Sequence, residues 1–293
     1  MYNSTAVVVV FYPAAEKFFS IFIKSILNQN TKDFVLIIAN DGVSNISQYF
    51  INCGFEFEII SMSGTPSDIR VGLIKHLIHN NYKKVIFCDC DDIMLYNRVS
   101  LLQENLDKHD VIVNDINIIS TEGKTLHKNY FSNRLKPNQR ITINEIISSN
   151  FMGLTNTAAK IKVFNFNFEP QNTSLITYDW FLWSLVILNG FKVSFLPEII
   201  TKYRVHNNNS SDISKKYDKE TIKFGLKIKY EHYSELSVYK KEYMKLSGKY
   251  EYAYYKINDD IWFNQYIKDI QCANIEFPFW WEKIIVPKNT GLK

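Results

Sequence analysis

Short apolar runs that alternate with helical patterns dominate the first part of the chain. Ala6–Tyr12, Phe34–Ala39 and Val85–Cys88 are rich in β-branched and other apolar residues, which is typical of strands buried on both faces of a parallel sheet. Phe55–Ser61 is a further strand candidate, and Lys17–Gln29 carries apolar residues at helical spacing. This β-α-β-α-β-α-β order predicts a doubly wound, Rossmann-like α/β sheet with right-handed crossovers.

Later segments extend this pattern less regularly. Asp110–Ile119 predicts another strand, and Ile176–Leu188 predicts a helix rich in aromatic residues. Lys192–Leu196 predicts a strand that is followed by Pro197, and Thr201–Val205 comes after it as a second extended segment.

Three aspartates follow the Val85–Cys88 run directly. Asp89, Asp91 and Asp92 would emerge at the carboxyl end of a strand, where open α/β sheets place their ligands. Like charges this close repel each other unless a cation joins them. Because Mg²⁺ and Mn²⁺ take carboxylate oxygens and share the rest of their coordination with substrate phosphates, the motif predicts a metal–diphosphate site. The alternative is a solvated acidic turn that caps the next helix.

Composition argues against several classes of protein. The net charge of +4 is too small for a dedicated nucleic-acid binder. No GxGxxG motif follows the first strand, so the usual dinucleotide-binding fingerprint is missing. The four cysteines form no CxxC pair, which argues against a zinc knuckle or a disulfide framework and favours a reducing compartment. We find no signal peptide and no run of roughly 20 apolar residues, the length that spans a bilayer, so we expect a cytoplasmic protein.

A set of motifs occurs in a fixed order within residues 5–212. The motifs are Phe11-Tyr12-Pro13, Asn40-Asp41-Gly42, Arg70, Asp89-Cys90-Asp91-Asp92, Tyr178-Asp179-Trp180 and Tyr203-Arg204-Val205-His206. This ordered set resembles the GT-A-type glycosyltransferases of family 2, which are inverting enzymes that use nucleotide-activated sugars. Within that family, the last two motifs most resemble bacterial rhamnosyltransferase-type members.

The resemblance implies a site for a UDP- or dTDP-sugar. Asp41 corresponds to an acid that accepts a hydrogen bond from the N3–H group of uracil or thymine. Tyr12 and Pro13 correspond to a loop that packs against the base, and Arg70 to a basic residue that reaches the nucleotide or its phosphates. Each assignment also has a purely structural alternative. Asp41 could belong to an Asn-Asp-Gly turn, Tyr12 could be a strand-end aromatic residue, and Arg70 could be an arginine on a helix surface.

The resemblance also assigns roles to the acidic motif. Asp91 is the expected ligand of Mg²⁺ or Mn²⁺, and His206 is expected to complete the metal shell or to touch the diphosphate. Asp89 is expected near the ribose, with Asp92 as a supporting or sugar contact. The other residues expected to bind the nucleotide sugar are Cys90 and Arg204.

Asp179 corresponds to the general base of the family. Such a base takes the proton from the acceptor hydroxyl while the hydroxyl oxygen attacks C1 of the sugar from the face opposite the diphosphate. Burial against Tyr178, Trp180 and Trp183 would raise the pKa of Asp179 toward neutrality. The alternative is a helix N-cap among aromatic residues. Residues 153–156 correspond to a segment that lines the donor-sugar pocket, where Gly153 lets the backbone approach.

We expect a catalytic domain over residues 1–212 and a C-terminal helical subdomain over residues 213–293. The second part is rich in Lys, Tyr and Trp and contains Phe277-Pro278-Phe279-Trp280-Trp281. Two interpretations stay open. The subdomain lies on an anionic membrane surface at the inner face of the bacterial inner membrane, or it packs on the catalytic domain or forms a homodimer.

The predicted function is sugar transfer onto a saccharide, free or lipid-linked, in the synthesis of a bacterial surface polysaccharide such as O-antigen, capsule or lipooligosaccharide. One alternative is a nucleotidyltransferase, although the Gly-rich basic loop of that class is missing after Phe11. The other is a catalytically inactive module that binds a sugar nucleotide or a glycan.

Overall fold

The computed structural model describes residues 4–206 and 218–272. The expected domain boundary at residues 212 and 213 and the aromatic segment 277–281 lie outside the described residues.

The described residues form ten strands and eight α-helices, joined by loops and short 3₁₀ turns. The strands are β1 (Thr5–Phe11), β2 (Val35–Asn40), β3 (Glu56–Ser61), β4 (Lys84–Asp89), β5 (Ile93–Met94), β6 (Val111–Ile119), β7 (Thr125–His127), β8 (Arg140–Ile141), β9 (Thr157–Lys160) and β10 (Val193–Arg204). The helices are α1 (Phe19–Leu27), α2 (Pro66–His79), α3 (Arg98–Asn105), α4 (Ile143–Ile146), α5 (Tyr178–Leu188), α6 (Lys219–Leu236), α7 (Lys241–Lys256) and α8 (Asp260–Cys272). The 3₁₀ turns are Pro13–Phe18, Ile46–Phe50, Leu154–Asn156 and Ile161–Phe164.

The strands form one mixed sheet in the order β3-β2-β1-β4-β9-β6-β10-β5, with β7 beside β6 and β8 beside β10. The pairs among β3, β2, β1 and β4 are parallel, as the alternating pattern of the sequence predicts. Strand β9 inserts antiparallel to both β4 and β6, and β6 pairs with β10 in parallel. The predicted GT-A-type, Rossmann-like mixed α/β fold is thus confirmed.

Helices cover both faces of the sheet. On one face α1 and α3 pack over β1, β2 and β4, where side chains such as Phe22 and Leu102 are fully buried. On the other face α2 and α5 pack with the C-terminal helices in a larger cluster that includes Trp180, Trp183 and Tyr233. The strands between these layers are therefore apolar on both sides, which explains their continuous apolar runs.

The predicted end of a strand before Pro197 is wrong. Strand β10 does not stop at Pro197 but continues to Arg204, with a shift of its register against β6 between Leu196 and Ile200. Proline lacks the N–H group that a regular ladder needs, and a bulge is one of the few places in a sheet that accepts it. Two segments that the sequence separates are therefore one strand.

A buried arginine lies beneath the end of β4. The Arg98 guanidinium donates hydrogen bonds to the carbonyls of Phe87 (3.1 Å) and Thr155 (2.9 Å) and to Asn114 Oδ1 (3.2 Å). Burial lowers the pKa of Arg98 to about 10, so the group stays charged at neutral pH. This cation ties β4, β6 and the turn before β9 together directly below the acidic motif.

The C-terminal helices pack against the sheet domain. Helix α6 contacts α5 through a stack of His232 on Trp180, with ring centroids 3.9 Å apart. Among the helices in the described ranges, none is long and apolar enough to cross a membrane.

Candidate active site

The carboxyl ends of β1, β2 and β4 lie side by side and form the floor of a cleft. Val10 pairs with Asp89, and Phe11 pairs with Asn40, so the residues that follow these strands share one edge of the sheet. The cleft has a volume of about 450 Å³. Its polar lining includes Tyr12, Asp41, Arg70, Asp89, Asp91, Asn150 and Asp179. Its apolar lining includes Val10, Ile69, Ile116, Phe131, Phe151, Leu175 and Ile176.

The turn after β2 carries Asp41 to the cleft. The side chain of Asn40 accepts a hydrogen bond from the Val43 amide (2.8 Å) and donates one to the Val43 carbonyl (3.0 Å). Gly42 adopts a φ of +83°, a left-handed conformation that favours glycine. Asn40 therefore braces the turn, and the neighbouring Asp41 lines the cleft.

Two side chains meet on one oxygen of Asp91. The Tyr12 hydroxyl donates to Asp91 Oδ2 at 3.3 Å, and His206 Nε2 lies 3.0 Å from the same oxygen. His206 is buried, and its ring packs against Phe18 with the ring centroids 4.8 Å apart. Asp91, which lines the cleft, and His206, at its edge, are thus neighbours although they lie far apart in the sequence.

The next residue, Asp92, turns away from the cleft. Its carboxylate accepts a hydrogen bond from the Thr155 hydroxyl (2.5 Å) and another from the Arg204 amide (2.7 Å). The Arg204 side chain donates from Nε to the Asp91 carbonyl (2.8 Å) and from its guanidinium to the Thr121 carbonyl (2.7 Å). Burial raises the pKa of Asp92, and the charges of Asp91 and Asp89 raise it further. Asp92 and Arg204 therefore hold the acidic turn in place from behind.

Asp89 is a cleft carboxylate whose pKa is strongly raised. Burial and the neighbouring Asp91 raise the pKa of Asp89 to about 7, Asp179 adds to this effect, and Arg70 and Arg98 oppose it. Around neutral pH this group therefore changes between its charged and neutral forms. A cation bound in the cleft would favour the charged form.

Asp179 lies in the first turn of α5. Its Oδ1 accepts a hydrogen bond from the Trp180 amide at 2.7 Å. Burial raises the pKa of Asp179, while Arg70, the Trp180 amide and the nearby side chain of Asn150 act against the rise. A Cβ atom at Gly153 would lie 3.4 Å from Asn156 Oδ1 and 3.8 Å from Asp179 Oδ2, so glycine keeps this part of the cleft open.

The structure brings most of the predicted site residues together. Tyr12, Asp41, Arg70, Asp89, Asp91 and Asp179 line one cleft, and His206 contacts Asp91 at its edge. Five predicted residues are not among those that line it: Pro13, Cys90, Asp92, Arg204 and His206, the last of which reaches only its edge through Asp91. Pro13 begins a 3₁₀ turn, and the Cys90 side chain is fully buried in the apolar cluster beneath the sheet.

Sequence reasoning missed Asn150, which lines the cleft beside Asp179 and acts against the rise in its pKa. A single asparagine in a polar loop carries no distinguishing pattern, so only its position in space identifies it. Sequence reasoning likewise missed Arg98, because a lone arginine in a helical pattern looks like a surface residue.

The donor set fits a hard divalent cation that is shared with a ligand. Within the described ranges, no group of three or more His, Cys, Asp or Glu side chains converges as a complete metal site. Asp91 and His206 supply a carboxylate oxygen and an imidazole nitrogen. Mg²⁺ is usually held by one or two carboxylates together with substrate phosphates and water, so Asp91 would be a protein ligand of such an ion and His206 lies beside it.

The raised pKa of Asp89 makes a prediction about stability. An unfolded aspartate titrates near pH 4, so between about pH 4 and pH 7 the folded chain binds more protons than the unfolded chain. The stabilisation from protonated Asp89 is therefore complete below about pH 4 and is lost as the pH rises to about 7. In metal-free protein, Asp89→Asn should raise the free energy of unfolding at pH 8 by about 1 kcal/mol or more and flatten its decline across this window.

Urea unfolding in the presence of a chelator, at several pH values, measures this effect. The exposed Glu104→Gln substitution is the matched control and should leave the pH dependence unchanged. Identical slopes for wild type and Asp89→Asn would show that Asp89 is already ionised well below pH 7.

Comparison with known proteins agrees with this geometry. The family model for glycosyl transferase family 2 matches residues 6–166, which is more than half of the chain. No curated protein sequence gave a match.

Three similar solved structures share the fold. Staphylococcus aureus TarS 1-349 has a TM-score of 0.57 at 15% identity, over 87% of this chain and 73% of that one. TarS 1-349 in complex with UDP-GlcNAc has a TM-score of 0.54 at 17% identity, over 78% and 66%. GalNAc-T7 with UDP, GalNAc and Mn²⁺ has a TM-score of 0.51 at 12% identity, over 75% and 47%. The family match and the GT-A architecture together show that this chain belongs to glycosyl transferase family 2.

Proposed function

We propose that this glycosyltransferase moves a sugar from a UDP- or dTDP-sugar to a saccharide acceptor with inversion at the anomeric carbon. The observation that carries the proposal is the convergence of Asp41, Arg70, Asp91 and Asp179 on one cleft at the ends of parallel strands. Asp41 suits the base of a nucleotide sugar, and Arg70 suits its phosphates. Asp91 suits a metal-bound diphosphate, and Asp179 suits the reacting centre. A nucleotidyltransferase would need neither a base near the acceptor nor the Asp179–Asn150 pair.

In this proposal the nucleotide lies over the ends of β1 and β2. Asp41 accepts the N3–H of uracil or thymine, Tyr12 packs near the base, and Arg70 faces the phosphates. Asp91 and His206 would hold a Mg²⁺ or Mn²⁺ ion, and such an ion supplies positive charge to the diphosphate as it leaves. The solved structure of GalNAc-T7 contains UDP and Mn²⁺, which supports this choice of ligands.

Asp179 acts as the general base. The acceptor oxygen forms a bond to C1 of the sugar while the bond between C1 and the diphosphate oxygen breaks, and the acceptor proton passes to the Asp179 carboxylate. Because attack comes from the face opposite the leaving group, a single displacement inverts the anomeric centre. The raised pKa of Asp179 improves it as a proton acceptor near neutral pH. The Trp180 amide binds Oδ1, and Oδ2 lies near Gly153 in the lining of the cleft.

We also propose that the acceptor is a lipid-linked saccharide of a bacterial surface polysaccharide and that the protein works peripherally at the inner face of the inner membrane. The turn between α6 and α7 supports this. Val238 is 72% exposed and Met244 is 61% exposed. In the sequence, the exposed Lys240 and Lys241 lie between these two residues, and the exposed Lys245 follows Met244. Exposed apolar side chains among lysines suit an anionic membrane surface.

Nucleotide specificity tests the donor site. With Mn²⁺ present, UDP and dTDP should raise the melting temperature of the protein more than CDP does, because cytosine lacks the N3–H that Asp41 would accept. Asp41→Asn should reduce the difference between UDP and CDP, since an amide can also donate to cytosine. Equal stabilisation by UDP, CDP and GDP would contradict the assigned role of Asp41.

The base assignment predicts a selective loss of rate. Asp179→Asn should lower the rate of sugar transfer by roughly 10²- to 10⁴-fold, the usual contribution of a general base, and should leave UDP affinity within about twofold of wild type. The exposed Glu169→Gln is the control, because Glu169 pairs with Lys75 at the surface (2.8 Å). Near-wild-type transfer by Asp179→Asn would exclude it as the base.

Membrane contact has its own test. Co-sedimentation with vesicles of anionic phospholipid should retain wild-type protein and lose most of the variant Lys240→Glu/Lys241→Glu, since each lysine near such a surface contributes about 1 kcal/mol. Neutral phosphatidylcholine vesicles and the variant Lys75→Glu are the controls. Equal binding of the wild type and the double variant would remove the basis for this surface.

A further inference from the structure

Helix α6 lies on the side of Asp179 that faces away from the cleft. Its residues contact both chain segments that hold the base: residues 146–150, which end at Asn150, and residues 177–180, which begin α5. None of the catalytic motifs lies on this helix, and no step of the proposed reaction uses it. Its contacts with the segments around the base are nevertheless specific and largely polar.

Three consecutive carbonyls before Asn150 each accept a hydrogen bond from a side chain. Trp180 Nε1 donates to the Ile146 carbonyl (2.7 Å), the Tyr233 hydroxyl to the Ile147 carbonyl (2.6 Å) and Lys229 Nζ to the Ser148 carbonyl (2.8 Å). Two of these three donors come from α6. The loop therefore reaches Asn150 with its backbone held by these donors, and Asn150 lines the cleft together with Asp179 and acts against the rise in its pKa.

Trp180, the residue after Asp179, is held by the same helix. The His232 ring stacks on the Trp180 ring with 3.9 Å between centroids and 19° between planes. The Lys229 ammonium lies 5.2 Å from the centroid of the Trp180 ring. His232 Nδ1 is also 3.4 Å from Thr177 Oγ1, at the residue that precedes α5. The Trp180 amide binds the Asp179 carboxylate directly, so a fixed Trp180 fixes one of its two oxygens.

The burial of Lys229 shows that this contact is more than apolar packing. Lys229 is fully buried, and removing an ammonium from water costs several kcal/mol unless hydrogen bonds and aromatic faces compensate. A leucine or methionine would fill the same space without that cost. The Lys229 ammonium instead donates a hydrogen bond to a backbone carbonyl and lies against the Trp180 ring. Contacts of this kind depend on direction, whereas apolar packing does not, so they fix the position of the groups that they join.

The same helix also holds the loop that leads into α5. The Glu235 carboxylate accepts hydrogen bonds from the amides of Gln171 and Asn172, both at 2.9 Å. Leu175 and Ile176, a few residues later, line the cleft. The contacts of α6 thus extend along the whole acceptor side of the site.

We propose that Lys229, His232 and Tyr233 of α6 are positioning residues that set the geometry of the Asp179–Asn150 pair for proton transfer. This inference rests on the proposed role of Asp179 as the general base. It gives the C-terminal helices a part in catalysis rather than in packing alone.

Substitutions on α6 test the proposal. Lys229→Met is compared with Lys227→Met, the same change two residues away on the exposed side of the helix, where Lys227 pairs only loosely with Glu231 (3.6 Å). The rate is the release of UDP from UDP-N-acetylglucosamine or UDP-glucose with Mn²⁺ and water as the acceptor. Lys229→Met should lower kcat by about tenfold or more, because small misplacements of catalytic groups carry large rate penalties, while the KM for the nucleotide sugar changes less than twofold. Lys229→Arg should restore part of the rate.

Tyr233→Phe provides a second, uncharged variant that removes one hydroxyl and preserves the packing. Its effect is read from the titration of the Asp179 carboxyl by ¹³C NMR, which requires no turnover. The other charges that act on Asp179 are Arg70 and Asp89, and both are unchanged in this variant. If Asn150 moves away from Asp179, the pKa of Asp179 should rise in Tyr233→Phe and stay unchanged in Lys227→Met.

The outcomes separate the inference from the proposed function. If Asp179→Asn abolishes activity while Lys229→Met and Tyr233→Phe match Lys227→Met in kcat and in the Asp179 titration, α6 is only a packing element and the inference is wrong. Full activity of Asp179→Asn would instead overturn the base assignment, and the inference with it. UDP affinity and circular dichroism of each variant check that the nucleotide half of the site is intact.

Discussion

Repulsion among carboxylates is the main physical constraint at the edge of the sheet where the site lies. Asp89, Asp91 and Asp179 line one cleft. Among the described residues that line this cleft, Arg70 is the only arginine. Without other support these groups would repel one another. The fold opposes their separation through Arg98 below the motif and through the bonds of Thr155 and Arg204 to Asp92. A divalent cation would complement the remaining excess of negative charge.

The sheet topology explains why these groups meet. Parallel pairing of β1, β2 and β4 puts three strand ends at one edge, and the antiparallel strand β9 begins beside them, just after the Leu154–Asn156 turn. Strand β10 then runs along β6 far enough to deliver Arg204 and His206 back to the acidic motif. The helical half of the site comes from α5, whose first turn carries Asp179, and from α6 behind it. The strand ends and the helices on the two sides of the cleft therefore belong to different layers of the protein.

Local patterns in the sequence were enough to predict the strands that carry the site. The runs before Asp41 and before Asp89 are continuous and apolar because both faces of the sheet are covered, and this signal does not depend on distant partners. Pro197 was misleading because a bulge is decided by pairing with β6, which no local pattern records. Cys90 shows the same limit: it lies between two acids in the sequence, yet its side chain points into the apolar cluster.

The residues that sequence reasoning did not find are those whose role depends on long-range contact. Asn150, Lys229 and Tyr233 are ordinary polar residues in ordinary surroundings until folding places them around Asp179.

The central claim is that one cleft binds a nucleoside diphosphate between Asp41 and the Asp91–His206 pair. A crystal structure of the protein with UDP and Mn²⁺ tests this most directly. The account predicts that the uracil N3 lies within hydrogen-bond distance of Asp41, that the metal ion bridges Asp91 and the diphosphate, and that Asp179 faces the open side of the phosphate. Nucleotide density elsewhere on the protein, or a metal ion that does not contact Asp91, would contradict it.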